Sequence, residues 1–248
     1  MNHISESAKI GSNVIFGYNN IIEENVEIGD NVKIGHNVVI YSGTKIGEGC
    51  HIHDNVVIGK KPMRAARSIM KEQKQYDPAV IGARCTIGTN SIVYAQCKIS
   101  DEVFIADLAT VRENVTIGNQ TIVGRGAAIE NECKVGAFCK IETNAYITAF
   151  SEIEDYVFIA PGVVTSNDNY IGRTEQRHKA FKGCTVRRGG RIGANSTLLP
   201  GIIIEPDGVV GAGSVVTKQV PSETIVVGNP AKYLRPVPND QLLKNNLK

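Results

Sequence analysis

Aliphatic residues recur at every sixth position along most of the chain, in three blocks that differ in phase. The blocks cover residues 10–58, 81–159 and 186–216, and every position of this register is aliphatic or Phe. An α-helix repeats its buried face about every 3.6 residues and a strand every second residue, so neither explains the period. The pattern therefore predicts a repeat architecture in which successive units stack and share one core.

A second column lies three residues after each aliphatic position and is dominated by Asn and Gly in the first block. It contains Asn13, Asn19, Asn25, Asn31, Asn37, Gly43, Gly49 and Asn55. These residue types enter the left-handed backbone conformation at the lowest cost, so a sharp corner is expected every six residues. Three corners close a triangle, which predicts an all-β parallel β-helix of about ten triangular coils. The Asn and Gly preference lapses in the middle block, along a strip that includes Glu132 and Phe150.

Two segments leave the repeat, at about 60–80 and 166–185, and both are expected to be loop excursions from the β-helix of residues 1–226. The first is rich in Lys and Arg, which favours a phosphate-bearing ligand bound by Arg64 and Arg67. Residues 227–248 are predicted to cap the open end with a short C-terminal helix.

Composition supports a globular chain with an aliphatic interior. The chain has 248 residues, 42% of them hydrophobic, only 6% aromatic and no Trp, with a net charge of +2. This charge gives no indication of a nucleic-acid partner. No apolar run reaches the ~20 residues of a bilayer span and the N-terminus lacks a signal-peptide core, so a cytoplasmic protein without a membrane span is expected. All six cysteines follow the repeat, which predicts reduced, buried core residues.

The closing passage resembles the C-terminal signature of the hexapeptide-repeat acyltransferases. It reads LLPGIIIEPDGVVGAGSVVTKQVPSETIVVGNPAK. The middle passages, ADLATVRENVTIG and KIETNAYITAFSEIEDYVFIAPGVVTSNDNY, are similar to the N-acetyltransferases that act on nucleotide-linked amino sugars, including dTDP-3-amino-3,6-dideoxyhexoses. The resemblance covers nearly the whole chain. It implies a left-handed β-helix, a homotrimer with sites between subunits, and acetyl-CoA lying along the C-terminal coils.

Acyl transfer to an amine needs a neutral amine, donors for the oxyanion and aligned substrates. Many relatives use a His base, but the middle block contains none, and His178 in the second excursion is the one His kept as a substrate-binding candidate. Residues eighteen apart should stack, which brings together Glu113, Asn131 and Glu132 as catalytic candidates. Glu142 and Asn144 form a second candidate cluster on another edge.

The remaining site candidates are assigned to ligands by charge and position. Asn167 and Asp168 are expected to contact the substrate. Phosphates and pantetheine of CoA are expected to meet Arg187, Arg188, Arg191, Ala194, Gly211 and Lys218. For each of these residues, an ordinary role as an exposed residue on a solvated prism is the alternative.

Other functions compete with N-acetyl transfer on the same repeat. O-acetyl transfer to a sugar hydroxyl shares the fold and the donor and is the main alternative. A zinc hydratase needs three converging His, and the spacing of His36, His51 and His53 does not match a coil, so no metal is expected. A structural or ice-binding prism predicts regular Thr ladders, and a sugar-1-phosphate uridylyltransferase needs a Gly-rich domain before the repeats; neither is present.

Overall fold

The computed structural model describes residues 1–66 and 75–247, and these residues form a left-handed parallel β-helix with three sheets. The sheets contain 11, 10 and 12 strands, which confirms the predicted triangular coil and puts the coil number near the expected value. As far as β31, the chain visits the first, second and third sheets in turn, so every third strand belongs to the same sheet.

The first sheet contains β1 (His3–Ile4), β4 (Ile21–Ile22), β7 (Val39–Ile40), β10 (Val57–Lys60), β13 (Ile92–Tyr94), β16 (Thr110–Val111), β19 (Ala128–Ile129), β22 (Tyr146–Ile147), β25 (Val164–Thr165), β28 (Thr197–Leu198) and β31 (Val215–Val216). The second contains β2 (Lys9–Ile10), β5 (Glu27–Ile28), β8 (Lys45–Ile46), β11 (Val80–Ile81), β14 (Lys98–Ile99), β17 (Thr116–Ile117), β20 (Lys134–Val135), β23 (Glu152–Ile153), β26 (Thr185–Val186) and β29 (Ile203–Ile204). The third contains β3 (Ile15–Phe16), β6 (Lys33–Ile34), β9 (His51–Ile52), β12 (Thr86–Ile87), β15 (Phe104–Ile105), β18 (Ile122–Val123), β21 (Lys140–Ile141), β24 (Phe158–Ile159), β27 (Arg191–Ile192), β30 (Val209–Val210), β32 (Thr224–Val227) and β33 (Lys232–Pro236).

The register confirms that residues eighteen apart stack within the regular coils. Thr110 pairs with Ala128, for example, and Val111 with Ile129. The repeated aliphatic side chain of each strand points inward, and Ile105, Ile117 and Ile129 are no more than 1% exposed. All six cysteines are buried and unpaired, as predicted, because they occupy slim positions in the same core.

The left-handed corners persist where Asn and Gly are absent, so the lapse of the Asn and Gly preference in the middle block is not a lapse of the corner conformation. Glu132 and Phe150 have φ of 61° and 66°, close to the 57° of Asn114. The left-handed conformation costs a side-chain-bearing residue about 1–2 kcal/mol. The stacked neighbours therefore impose the corner geometry against local preference.

The tail forms an additional strand that sequence analysis did not predict. Strand β33 pairs antiparallel with β32 and extends the third sheet. The expected short helix consists of two 3-10 turns, Asn239–Gln241 and Leu243–Asn245. Leu242 is buried against Ile225 and Val237, so this segment packs against the C-terminal coils.

Both excursions leave the prism between the first and second sheets. The first separates β10 from β11 and the second separates β25 from β26. The second contains a 3-10 turn, Glu175–Lys179. Within the described residues, no helix has the length and apolar character needed to cross a bilayer.

Candidate functional site

The excursions frame a row of corners between the first and second sheets, which we call the excursion edge. Its corner column between the two excursions consists of Ala95, Glu113, Asn131 and Ala149. Corner residues on a solvated prism are normally exposed, yet these four side chains are all buried, with residue exposures of 3%, 3%, 5% and 8%. The excursion edge is therefore a candidate site with an unusually sheltered polar pair at its centre.

Glu113 is held by the guanidinium of its neighbour Arg112. Arg112 donates from Nε to Glu113 Oε2 at 2.9 Å and from Nη2 to Oε1 at 3.2 Å. Such a two-point contact between charged groups is strong and directional. The Glu113 side chain is only 4% exposed, so Arg112 supplies hydrogen bonds that water cannot.

Asn131 lies one coil beyond Glu113, and the NH2 group of its side chain makes no hydrogen bond among the described residues. Its Nδ2 is buried and has no hydrogen-bond partner among the described residues. A buried amide without a partner costs about 1–3 kcal/mol, so such a group is uncommon in a folded protein. The unpaired N–H groups mark a place where a ligand oxygen could accept a hydrogen bond.

Glu132 sits beside Asn131 and is only partly buried. Asn114 of the preceding coil donates from Nδ2 to Glu132 Oε2 at 2.5 Å. The amide of Glu132 donates to the carbonyl of Glu113 at 3.2 Å. The structure therefore brings together Glu113, Asn131 and Glu132, which sequence analysis singled out as one cluster.

Sequence analysis did not identify Arg112, Glu130, Tyr94 and Tyr146 as parts of this site. Arg112 also donates from Nη1 to Glu130 Oε2 at 3.4 Å, and its guanidinium lies 5.0 Å from the ring centroid of Tyr94. Burial raises the pKa of Glu130 above its ordinary value. Burial also raises the pKa of the Tyr146 phenol, with the charge of Glu130 as a further cause. Tyr94, Arg112 and Glu130 are eighteen residues apart, and this spacing could have predicted from the sequence that they stack.

Glu142 and Asn144 lie between β21 and β22, on the edge joining the third sheet to the first. Glu142 is partly buried and Asn144 is exposed with φ of 59°. As predicted, this cluster is on a different edge from Glu113. On one prism, the two candidate clusters are therefore separate.

The excursions contain the residues expected to bind substrate. Arg64 lies in the described part of the first excursion, whereas Arg67 lies outside the described residues. Asp168 organises the second excursion, because its carboxylate accepts from the amides of Tyr170 and Gly172, both at 2.9 Å, and from Arg177 Nε at 2.9 Å. These contacts hold the pKa of Asp168 below its usual range, with the Gly172 amide as the largest cause.

Asn167 and His178, in the same excursion, differ in their contacts with the rest of the loop. The carbonyl of Asn167 accepts from the amide of Lys182 at 3.1 Å, which closes the loop at its base. His178 is exposed, and its Nδ1 lies 3.5 Å from a carboxylate oxygen of Glu175.

The residues expected to bind CoA are spread over the C-terminal coils. Arg187 and Arg188 lie between β26 and β27, on the edge that joins the second and third sheets. Arg187 donates to Glu154 Oε1 at 2.6 Å, and the Arg188 guanidinium lies 4.9 Å from the ring centroid of Tyr156. Both cations therefore have partners on the prism already.

Arg191 and Lys218 are in contrasting surroundings. Arg191 donates from Nη1 to Gln241 Oε1 at 3.5 Å, while its Nε and Nη2 are buried without partners among the described residues. Lys218 is exposed and lines a cavity of about 390 Å³, together with Lys232 and Tyr233 from β33. Ala194 and Gly211 lie on the edge between the third and first sheets, the same edge as Asn144.

Within residues 1–66 and 75–247, no three His, Cys, Asp or Glu side chains come together as a metal-ligand set. The contacts of His36 are structural. Its ring stacks on that of Tyr18 with 5.4 Å between the ring centroids, and its Nδ1 accepts a hydrogen bond from the backbone amide of Tyr18 at 2.9 Å.

Two repeat families match parts of the chain. The bacterial transferase hexapeptide (six repeats) matches residues 25–60, and the hexapeptide repeat of succinyl-transferase matches residues 78–95 and 189–218. The matched segments lie on regular coils of the β-helix. They support a place among the hexapeptide-repeat transferases.

Curated relatives match over shorter stretches. The serine acetyltransferase of Buchnera aphidicola subsp. Acyrthosiphon pisum (strain APS) is 36% identical over 102 residues, which is 37% of this chain and 37% of the relative. A Staphylococcus aureus (strain COL) protein, whose name provisionally assigns it as an acetyltransferase, is 47% identical over 49 residues, covering 20% of this chain and 25% of the relative. The chain thus spans between a quarter and two fifths of the length of these relatives.

Among solved structures, the UDP-N-acetylglucosamine O-acyltransferase from Moraxella catarrhalis RH4 is similar with a TM-score of 0.55 and 21% identity. The match covers 95% of this chain and 72% of that one. At this identity the likeness establishes the shared fold.

Proposed function

We propose that this protein is an acetyl-CoA-dependent N-acetyltransferase that acts on the amino group of a nucleotide-linked amino-deoxysugar, dTDP-linked in the group that it resembles. The repeat families and the acetyltransferase relatives support the acyltransferase class. The observation that carries the proposal is the sheltered polar corner of Glu113 and Asn131 between two excursions. Stacking of the coils requires only the inward aliphatic side chains, so a buried carboxylate and a buried unpaired amide are a cost that stacking does not explain.

The corner suits an amine that attacks a thioester directly. An ammonium group is attracted to the carboxylate of Glu132, and the free N–H groups of Asn131 can orient the sugar or the developing oxyanion. Glu113 is covered by Arg112, so in this proposal it acts by fixing the guanidinium rather than by meeting the sugar directly. The excursions supply the cations for the nucleotide phosphates, with Arg64 as the described candidate.

The donor and the trimer form part of the same proposal. The candidate residues occupy all three edges of one prism: Glu113 on the excursion edge, Arg187 on the second edge, and Ala194 and Asn144 on the third. Convex edges of a single prism cannot converge on one ligand. A homotrimer places an edge of one copy against a different edge of the next, which would complete a site for the sugar and CoA together.

A substrate panel with a thiol-detection assay tests the activity. Acetyl-CoA is offered with dTDP- and UDP-linked amino sugars and with the matched sugars that carry a hydroxyl in place of the amine. We expect CoA release with an amino sugar and less than a tenth of that rate with its hydroxyl partner. Equal or faster release with the hydroxyl sugar would instead assign the protein as an O-acetyltransferase, and no release with any acceptor would refute acyl transfer to nucleotide sugars.

The location of the site is tested by Asn131→Ala, with Asn119→Ala as a matched exposed corner residue on a different edge. We expect the Asn131 variant to lose about 10²-fold in kcat/KM, similar to the loss of one oxyanion donor, and the Asn119 variant to be unchanged. Sedimentation at equilibrium measures the assembly, and a monomer at assay concentrations that is fully active would contradict the shared site.

A further inference from the structure

One guanidinium on the excursion edge serves two carboxylates. Both oxygens of Glu113 accept from Arg112, at 2.9 and 3.2 Å, whereas Glu130 has a single longer contact of 3.4 Å. The face of the guanidinium is occupied by the Tyr94 ring at 5.0 Å. Arg112 therefore balances the charge of Glu113 and leaves Glu130 as the surplus carboxylate of this group.

The two carboxylates also differ in access. The Glu113 side chain is 4% exposed and lies beneath Arg112, while that of Glu130 is 24% exposed. A substrate that reaches the excursion edge can touch Glu130 without displacing Arg112. Asn131, whose Nδ2 is buried without a partner among the described residues, is the next residue in the chain.

We infer that Glu130 is the catalytic residue that removes the proton from the sugar ammonium. The inference rests on the proposed function. In this step an N–H bond of the ammonium breaks and the proton passes to a Glu130 oxygen, which leaves a neutral amine. The amine nitrogen then bonds to the thioester carbonyl carbon and the C–S bond breaks. The second proton of the nitrogen goes to the departing thiolate of CoA, and Glu130 returns its proton to solvent.

The surroundings of Glu130 favour this role. Arg112 and Glu113 face it from the preceding coil, Tyr146 from the next coil, and Cys133 lies on its own coil. Burial raises the pKa of Glu130, Arg112 opposes the shift and Glu113 adds to it. A carboxylate with a raised pKa accepts a proton more readily near neutral pH than an ordinary glutamate does.

The test compares pH profiles of kcat/KM for the full-length protein and for Glu130→Gln, which keeps size and shape. At pH 6.5 the variant should lose about 30-fold, because it can use only the amine that is already neutral, about one molecule in thirty for a group that titrates near pH 8. Free amines of this type lose their proton around pH 8, so the variant should approach the wild-type rate above about pH 8.5. The recovery with pH separates proton removal from a structural effect.

Glu152→Gln is the matched control, since Glu152 pairs with Lys134 at 3.3 Å on the exposed face of the second sheet. It should match wild type at every pH. A loss in Glu130→Gln that is the same at every pH, or no loss at all, would overturn the role of Glu130 while leaving the N-acetyltransferase intact. If the wild-type protein transfers no acetyl group to any amino sugar, the proposed function itself fails.

Discussion

Replacement of Arg112 by Met should destabilise the fold more than its partly exposed position suggests. The change removes both donors to Glu113, whose side chain is 4% exposed, and leaves a buried carboxylate without a counter-ion. Breaking a buried pair in this way costs about 3–5 kcal/mol. The Arg112 side chain is itself 26% exposed, so water screens part of the loss and we expect about 3 kcal/mol at pH 7.

The reasoning requires that the cost comes from the stranded carboxylate. Adding Glu113→Gln to Arg112→Met should therefore recover at least half of the lost free energy of unfolding, because a neutral amide is much less costly to bury. Urea denaturation followed by circular dichroism, at one fixed protein concentration, measures the four members of this double-mutant cycle.

Arg84→Met is the matched control for this cycle. Arg84 also lies between two glutamates, Glu102 at 3.0 Å and Glu48 at 3.7 Å, but its side chain is 52% exposed. Exposed pairs contribute about 0–1 kcal/mol, so Arg84→Met should cost less than 1 kcal/mol. Equal costs for the two Arg variants, or no recovery on adding Glu113→Gln, would refute the argument.

Three further outcomes follow from the core and the second excursion. Ile129→Ala should lower the free energy of unfolding by about 2–5 kcal/mol, because Ile129 is fully buried; a cost below 1 kcal/mol in urea would contradict the shared core. Burial raises the pKa of Cys97 to about 12, so a thiol reagent at pH 8 should not label Cys97 until the protein unfolds, and labelling of Cys97 in the native protein would contradict its burial. Asp168→Asn should speed hydrogen exchange at the amides of Tyr170 and Gly172. Since the pKa of Asp168 is lowered in the fold, wild-type protection should be present at neutral pH and lost as the pH falls through that lowered pKa; unchanged exchange in the variant would show that the carboxylate does not order the loop.

The candidate site was only partly predictable from sequence. The eighteen-residue step brought Glu113 and Asn131 together, because stacking in a closed coil follows directly from the repeat. The importance of Arg112 and Glu130 was missed, since both occupy outward positions that are ordinarily solvated. Their role depends on the burial of the neighbouring corner, and burial of a corner is not encoded in a six-residue pattern.

The corner conformations illustrate a similar difference. Asn37 and Glu132 have φ of 56° and 61°, yet only the first residue type predicts a left-handed corner. In the first block local preference and stacking agree. In the middle block the hydrogen bonds to adjacent coils impose the corner on Glu132, and residue type carries no signal of it.

The amino-acid sequence by itself determined the coil, its period, the inward column and the two excursions, because each depends on residue types at regular short spacings. Tertiary structure decided that both excursions leave the same edge and that the tail adds β33 to the third sheet. It also decided that the Arg112 guanidinium donates hydrogen bonds to both Glu113 and Glu130. These features depend on which residues from distant coils face one another and how much water they exclude. Such quantities arise only when the coils are stacked.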